Sequence, residues 1–357
     1  MQQARLERLR TVMQGQQLKA LLITNATNRL YMTGFTGSSG VVLVTEGKAY
    51  LLTDFRYMTQ APAQAIGYEV VEHAPNPMET VKDLLVKNGI AKLGFEQSDM
   101  TYGAYQASAK SLAGIEMTAT EGLVEQLRMI KDESEIAVMQ EACDLADRTF
   151  THILNFLKPG AMESDIALEI EMFVRKNGAA STSFETIVAS GERSALPHGK
   201  ASDRILQTDE FVKLDYGAYY KRYCSDITRT VVLGKPADKH KEIYNIVLEA
   251  QLEALDKIRP GMTGKEADGI ARSVIARYGY GDHFGHGTGH GLGMEIHEAP
   301  RLSRTGDTVL TPGMTVTVEP GIYLPGFGGV RIEDDIVITE TGIKILTHSS
   351  KDLIVLD

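Results

Sequence analysis

The residues of this chain best suited to chemistry are carboxylates and histidines set inside segments that otherwise read as core. In EFVKLDYGAYYKRYCSDITRTVVLG, Asp215 follows apolar Leu214, and Asp226 precedes Ile227 in a run leading to Val-Val-Leu. The two sit on strand-like runs joined by a polar turn near Tyr219–Arg222. A buried carboxylate is costly unless a cation or strong donors compensate, and two on adjacent strands repel each other. A hard divalent metal resolves both penalties; solvent-facing turn aspartates are the alternative. In FGHGTGHGLGMEIHEAP, His286, His290 and His297 lie among Gly285, Gly287, Gly289, Gly291 and Gly293. Three of the nine histidines fall within the twelve residues 286–297, which argues against an incidental glycine loop. Glycine allows close backbone approach to a ligand.

A third segment, TPGMTVTVEPGIYLPGFGGVRIEDDIVIT, places Glu319 at the end of an alternating strand stopped by Pro320-Gly321, and Glu333 between Ile332 and Ile336. Charges inside runs so rich in Val and Ile suggest neutralised carboxylates. Asp334 and Asp335 are expected at the surface or in structural roles. Two Asp, two Glu and a His form an oxygen-rich set. Such a set suits two hard or borderline ions, Mn²⁺ or Co²⁺, with Zn²⁺ also admissible. Two ions about 3.5–4 Å apart can share a hydroxide, which is the equipment for hydrolysis. Other chemistries fit poorly. The glycine run lacks the G-x-G-x-x-G register and no Gly-Lys-Ser/Thr occurs, so neither nucleotide fingerprint is present. His290 and His286 lack the Glu of H-E-x-x-H, and the GSSG at 37–40 is out of register for a nucleophile elbow.

The elements that must position these residues are legible in outline. KALLIT, GVVLVT, KAYLLT and KLGFE read as short strands, and residues 79–90 as a helix ending at Asn88-Gly89. This is an α/β pattern. Residues 121–157 read as one long helical segment, with Cys143 as a small core residue on its apolar face and Pro159-Gly160 as its stop. Ser164 is expected to cap the next helix, which closes at Asn177-Gly178. Strands follow, then helices over 238–258 and about 264–278 separated by Pro260-Gly261, then strands again. Helix-Pro-Gly-helix-strands, twice, hints at a duplication of roughly 110–120 residues.

Composition narrows the function classes. With 37 Lys+Arg against 47 Asp+Glu the net charge is −10, and no basic run occurs, which argues against nucleic acid and against anionic membranes. Residues 1–122 carry 11 basic and 11 acidic residues, so the whole excess lies in the remainder. Two cysteines are too few for a disulfide framework. The N-terminus has no signal-type apolar run and the apolar stretches are far too short to span a membrane. A cytoplasmic protein is expected.

Taken together, LDYGAYYKRYCSDITRT, GHGTGHGLG…HEAP, VEPGIY and GGVRIEDD resemble the prolidase / aminopeptidase P family of metallopeptidases. The resemblance spans nearly the whole chain and implies an α/β N-terminal domain over 1–124 and an α+β pita-bread catalytic domain over 125–357. It implies that Asp215, Asp226, His290, Glu319 and Glu333 hold a dinuclear centre, Mn²⁺ first among the candidates, with Asp226 and Glu333 bridging. Glu319 would shuttle the proton, His297 would steady the carbonyl and the oxyanion, and His286 and His198 would line the substrate pocket. Arg331 and Tyr323 would orient Asp215 from behind. The implied reaction is attack of a metal-bridging hydroxide on the Xaa-Pro bond of a proline-containing peptide, with dipeptidase and aminopeptidase specificity both open. The family also implies a homodimer. A methionine aminopeptidase shares the ligands but usually lacks the N-terminal domain. The competing reading is a catalytically inactive pita-bread module that binds peptides.

Overall fold

A computed structural model describes residues 2–357. The chain divides into two compact units at Arg128/Met129. The boundary expected at 124/125 falls inside the helix Leu123–Met129.

In the first unit, β1 (Ala20–Ile23), β2 (Val41–Thr45), β3 (Ala49–Thr53), β4 (Glu69–Glu72), β5 (Lys92–Glu96) and β6 (Glu116–Thr120) form one mixed sheet in the order β4-β3-β2-β1-β5-β6. Every residue of β1 and β3 is buried, as apolar runs without alternation require when both faces are covered. The helix Pro77–Lys87 starts on Asn76, whose side chain accepts the Met78 N–H, and stops at Asn88 and the left-handed Gly89. Its Val81 and Leu85 dock against Leu22, Leu43, Leu52 and Leu93.

The second unit contains β7 (Ser181–Thr182), β8 (Ile187–Ser190), β9 (Glu210–Tyr216), β10 (Ala218–Tyr220), β11 (Tyr223–Cys224), β12 (Ile227–Leu233), β13 (Gly289–Gly291), β14 (Glu298–Leu302), β15 (Thr315–Val318), β16 (Gly321–Leu324), β17 (Gly328–Arg331), β18 (Asp334–Ile338), β19 (Ile343–Ile345) and β20 (Val355–Leu356). One sheet runs β20-β12-β9-β8 and another β14-β13-β15-β18-β19, with β16 and β17 paired separately. Each main sheet has its own helix pair. Phe150, Ile153, Ile166 and Ile170 from Glu133–Ile153 and Glu163–Lys176 cover Val188, Leu214 and Val231. Ile243, Val247, Ala271 and Ile275 from Asp238–Lys257 and Gly264–Arg277 cover Val316, Val318 and Ile336. No helix among the described residues is long and apolar enough to cross a membrane.

Three expectations need correction. The helical segment over 121–157 is two helices, Leu123–Met129 and Glu133–Ile153. Asp132 breaks it with a reciprocal cap: its side chain accepts the Glu135 N–H at 2.9 Å, and Glu135 accepts the Asp132 N–H at 2.9 Å. Ser164 lies inside its helix, and Met162 occupies the cap position. The orphan N–H groups of Glu163 and Ser164 go instead to the carbonyls of Arg204 and Ser202, at 3.0 and 2.9 Å, so no side-chain cap is needed. Finally, Asp334 and Asp335 are fully buried, which leaves only the structural half of their expectation standing. Asp335 accepts the backbone N–H of Asp226 at 2.8 Å and the thiol of buried Cys143. Asp334 accepts from Arg229 (2.8 Å), Gln251 (2.9 Å) and Thr347 (2.9 Å) and pairs with Lys351 at 3.0 Å.

Removing one partner of a buried pair leaves the other charge without compensation. Asp334→Ala, which strands Arg229 at 2 % exposure, is therefore expected to destabilise the protein by about 3–5 kcal/mol, measured by denaturant unfolding.

Candidate metal centre

Three of the four carboxylates emerge where strands begin, end or break, and the fourth from within a strand. Asp215 lies within β9, opposite Thr228 of β12 and Ile187 of β8. Asp226 stands one residue before β12, and Glu319 directly follows β15. The expected strand through GGVRIEDDIVIT is interrupted at Ile332 and Glu333, between β17 and β18. At that break the Glu333 N–H turns to the Thr228 carbonyl at 3.1 Å, which brings Glu333 to the same place as Asp226. His290 is the middle residue of β13. Its neighbours must be glycine, because a Cβ at Gly289 would lie 1.9 Å from the Thr317 carbonyl oxygen and one at Gly291 2.2 Å from that of Ala299.

Single ligand atoms of Asp226, His290 and Glu333 lie within 4.8 Å of one another. His290 Nε2 is 3.6 Å from Asp226 Oδ2 and 3.5 Å from Glu319 Oε1. Asp215 joins the group through Arg331, whose guanidinium donates to its carboxylate and lies 3.9 Å from Glu319 and 4.0 Å from Glu333. Thr228 Oγ1 donates to Glu333 at 2.5 Å and Thr317 Oγ1 to Glu319 at 3.2 Å, each aiming one carboxylate.

Four carboxylates face one arginine here. Burial, then the charges of Glu333 and Asp215, push the Asp226 carboxyl well up. Burial, then Glu319 and Asp215, do the same to Glu333. Burial raises Glu319 to about 7, with Arg331 pulling the other way. Asp226 Oδ1 is buried with no hydrogen-bond partner. Burial lowers His290 to about 3, so the imidazole is neutral. Its Nδ1 meets the Gly291 carbonyl at 3.1 Å, which assigns the proton there and leaves the Nε2 lone pair facing the carboxylates. An orphaned carboxylate oxygen, a free imidazole lone pair and excess buried negative charge are what divalent cations neutralise, so these residues fit a metal pair.

All five lie on one cavity of about 410 Å³, which His198, His286, His297, Arg301 and Arg331 also line. The His297 and His290 rings meet edge-on at 4.5 Å. Tyr323 sits behind the wall, where Arg331 Nη1 donates to its oxygen at 2.9 Å and it bonds His286 Nε2 at 2.7 Å. His286, lowered to about 3 by burial and then by Arg331, keeps its other nitrogen on the Gly287 carbonyl at 2.7 Å.

Several contributors escaped the sequence reading. Arg301 enters the cavity from β14, opposite His290 in register, and forms no ion pair among the described residues. Nothing in its segment marks it, since charges there look solvated. Asp268 and Arg272 resemble an ordinary i,i+4 surface pair, yet Asp268 is 2 % exposed. Asp268 accepts from Thr288 N–H and Oγ1, both at 2.9 Å, while Arg272 donates to the carbonyls of Phe284 (2.9 Å) and His286 (2.7 Å). This pair holds the glycine-rich segment on its helix. Thr228 and Thr317 gave no signal because threonine is common in strands.

The model of the metallopeptidase family M24 matches residues 137–340, and that of the creatinase/prolidase N-terminal domain matches residues 5–130. A Pyrococcus horikoshii Xaa-Pro dipeptidase is 41 % identical over 342 residues, covering 94 % of this chain and 95 % of the relative. The solved structure of a Bacillus anthracis Xaa-Pro dipeptidase is 53 % identical with a TM-score of 0.98 over 100 % of both chains. That of a Thermotoga maritima X-Pro aminopeptidase is 39 % identical with a TM-score of 0.89, covering 95 % of this chain and 97 % of its own.

Because burial and the neighbouring carboxylates oppose ionisation of Asp226, Asp226→Asn removes that conflict from the metal-free protein. The variant is expected to melt no lower than wild type without metal, and to lose the rise of about 5 °C expected of wild type at one hundred times the Mn²⁺ dissociation constant. Differential scanning calorimetry with and without Mn²⁺ checks both arms.

Proposed function

Since this chain belongs to the M24 metallopeptidases, with the creatinase/prolidase-type α/β N-terminal domain and the pita-bread catalytic fold, we propose that it hydrolyses the Xaa-Pro bond at the N-terminus of short peptides. The observation that carries this reading is the convergence of Asp226, His290 and Glu333 with Glu319 on one cavity. An inactive peptide-binding module has no need of a buried, mutually repelling carboxylate cluster, and the metallopeptidase reading stands over it.

Asp215, Asp226, His290, Glu319 and Glu333 would hold two divalent ions, Mn²⁺ by preference. When bound, the ions supply Lewis acidity that lowers the pKa of water towards neutrality and polarises a carbonyl. The remaining work falls to side chains. Glu319, whose Oε1 lies 3.5 Å from His290 Nε2, would take a proton from the attacking water and return it to the departing proline nitrogen. His297, beside His290, donates to the oxygen that gains charge. His198 and His286 shape the pocket around the substrate, and Arg331 with Tyr323 keeps Asp215 in place. A dedicated pocket is needed because an Xaa-Pro bond has no N–H and its ring fixes φ. Only one isomer, trans, is expected to fit.

Arg301 favours dipeptides. A dipeptide places its terminal carboxylate within a residue of the scissile bond, and Arg301 is a cation in the cavity with no carboxylate of its own. The working form is proposed to be a cytoplasmic homodimer, which sedimentation and fractionation would check. With Mn²⁺ loaded, Ala-Pro is expected to be cleaved faster than Ala-Pro-Ala; the reverse order would assign an aminopeptidase. Glu319→Ala is expected to lower Ala-Pro hydrolysis by about 10²–10⁴-fold with the circular dichroism spectrum unchanged. Arg301→Gln is expected to raise the KM for Ala-Pro by roughly ten- to a hundred-fold, the loss of a charge-assisted bond, and to change the tripeptide KM far less.

A further inference from the structure

Lys213 is 0 % exposed in the middle of β9, flanked by Val212 and Leu214. It lies two residues from Asp215 and so points to the same face of the strand. Its amine forms no ion pair among the described residues. Instead Nζ donates to three loop carbonyls, those of Leu196 (2.7 Å), Ser194 (3.0 Å) and Pro197 (3.5 Å), and lies 5.1 Å from the centroid of the Tyr323 ring. A buried amine among valines and leucines is costly, and an apolar side chain of similar volume would fill the space without that cost. Its presence therefore calls for a role beyond filling the core.

The loop it grips is the one that carries His198 to the cavity. Arg331 Nη1 donates both to the same Pro197 carbonyl at 3.1 Å and to Tyr323, while its Nη2 holds Asp215. Gly329 N–H donates to Ser194 Oγ at 2.8 Å. The base of the loop is closed by Glu163, also 0 % exposed, which accepts from the N–H and hydroxyl of Ser190 (2.8 Å each) and of Ser202 (3.1 and 2.7 Å). Between Ser190 and Ser202, Lys213 and Arg331 hold carbonyls 194, 196 and 197 before His198, and Arg193 Nη2 donates to the Lys200 carbonyl after it at 2.8 Å. Side chains of Pro197 and His198 then face the cavity.

We propose that Lys213 is a positioning residue: by saturating the carbonyls of Ser194, Leu196 and Pro197 it holds the loop in the one conformation that presents His198 to the substrate. The inference rests on the hydrolytic reading of the cavity only for its catalytic consequence, not for its structural one. A methionine at 213 fits the space and donates nothing, so the loop loses three bonds while β9 keeps its core.

Two measurements test this on the full-length protein. Hydrogen exchange followed by mass spectrometry, without metal, should show Lys213→Met speeding exchange at least ten-fold in peptides covering 191–200 and leaving the peptides of β9 and β12 unchanged. With Mn²⁺ loaded, Lys213→Met should lower kcat/KM for Ala-Pro at least ten-fold without altering the Mn²⁺-induced rise in Tm. In a His198→Ala background the same substitution should cost less than two-fold, because the group it positions is already gone. An additive cycle, unchanged exchange at 191–200, a silent His198→Ala or an altered Mn²⁺ response each overturns the proposal. If Lys213→Met yields no folded protein, Lys213→Gln, which retains an amide donor, enters the same cycle with an intermediate loss expected. A wild-type protein that cleaves no Xaa-Pro peptide refutes the hydrolytic reading instead, and leaves the exchange result standing.

Discussion

Four carboxylates held within reach of one another, out of water, with a single guanidinium among them, are the constraint on which this structure depends. In the chain alone they repel, and Asp226, Glu319 and Glu333 resist ionisation where they stand. No local preference would gather them. They are together because the backbones that carry them are tied to one another: Glu333 N–H to the Thr228 carbonyl, Asp226 N–H to Asp335, Glu319 N–H to the Thr288 carbonyl. The hydrophobic burial of two helix-covered sheets sustains the repulsion, and the result is a site whose stability is completed by cations from outside.

The same logic governs the loops. Segments that bring histidines to the cavity are held by buried polar groups rather than by their own packing. Asp268 and Arg272 grip the glycine-rich segment before His290, and Glu163 with Lys213 grips the one that carries His198. Glycine-rich or extended backbone has little side-chain surface to bury, so its position must come from hydrogen bonds to its carbonyls and N–H groups. Each such bond lies between groups far apart in the chain, which couples the two sheets of the catalytic unit at the cavity.

Arg331 has the widest reach of any single residue here. It donates to Asp215, Thr228, Tyr323 and the Pro197 carbonyl from one buried fork. A planar guanidinium with fixed donor directions can satisfy four such partners at once, where a lysine offers a single point of charge. Through it a proposed metal ligand, the wall behind His286 and the His198 loop share one anchor. Lys213 supplements that anchor at Ser194 and Leu196, to which the fork makes no hydrogen bond.

The reactive side chains, and the kind of element on which each sits, can be read from the chain without its fold. Carboxylates in Val- and Ile-rich runs, and histidines between glycines, are local facts, and so is the −10 charge confined to the region beyond residue 122. Helices and strands were legible for the same reason, since periodicity and stop signals act over a few residues. Local signals failed where a competing local bond won, as with Asp132 breaking a charged helical run, or where a distant partner replaced a cap, as at Ser164. What only the tertiary structure decided was which charges are buried and who their partners are. Asp334, Lys213 and Asp268 look in sequence like any surface charge, and Thr228 like any strand residue. Their roles come from groups tens of residues away, and burial is a property of the assembled core rather than of any window of chain.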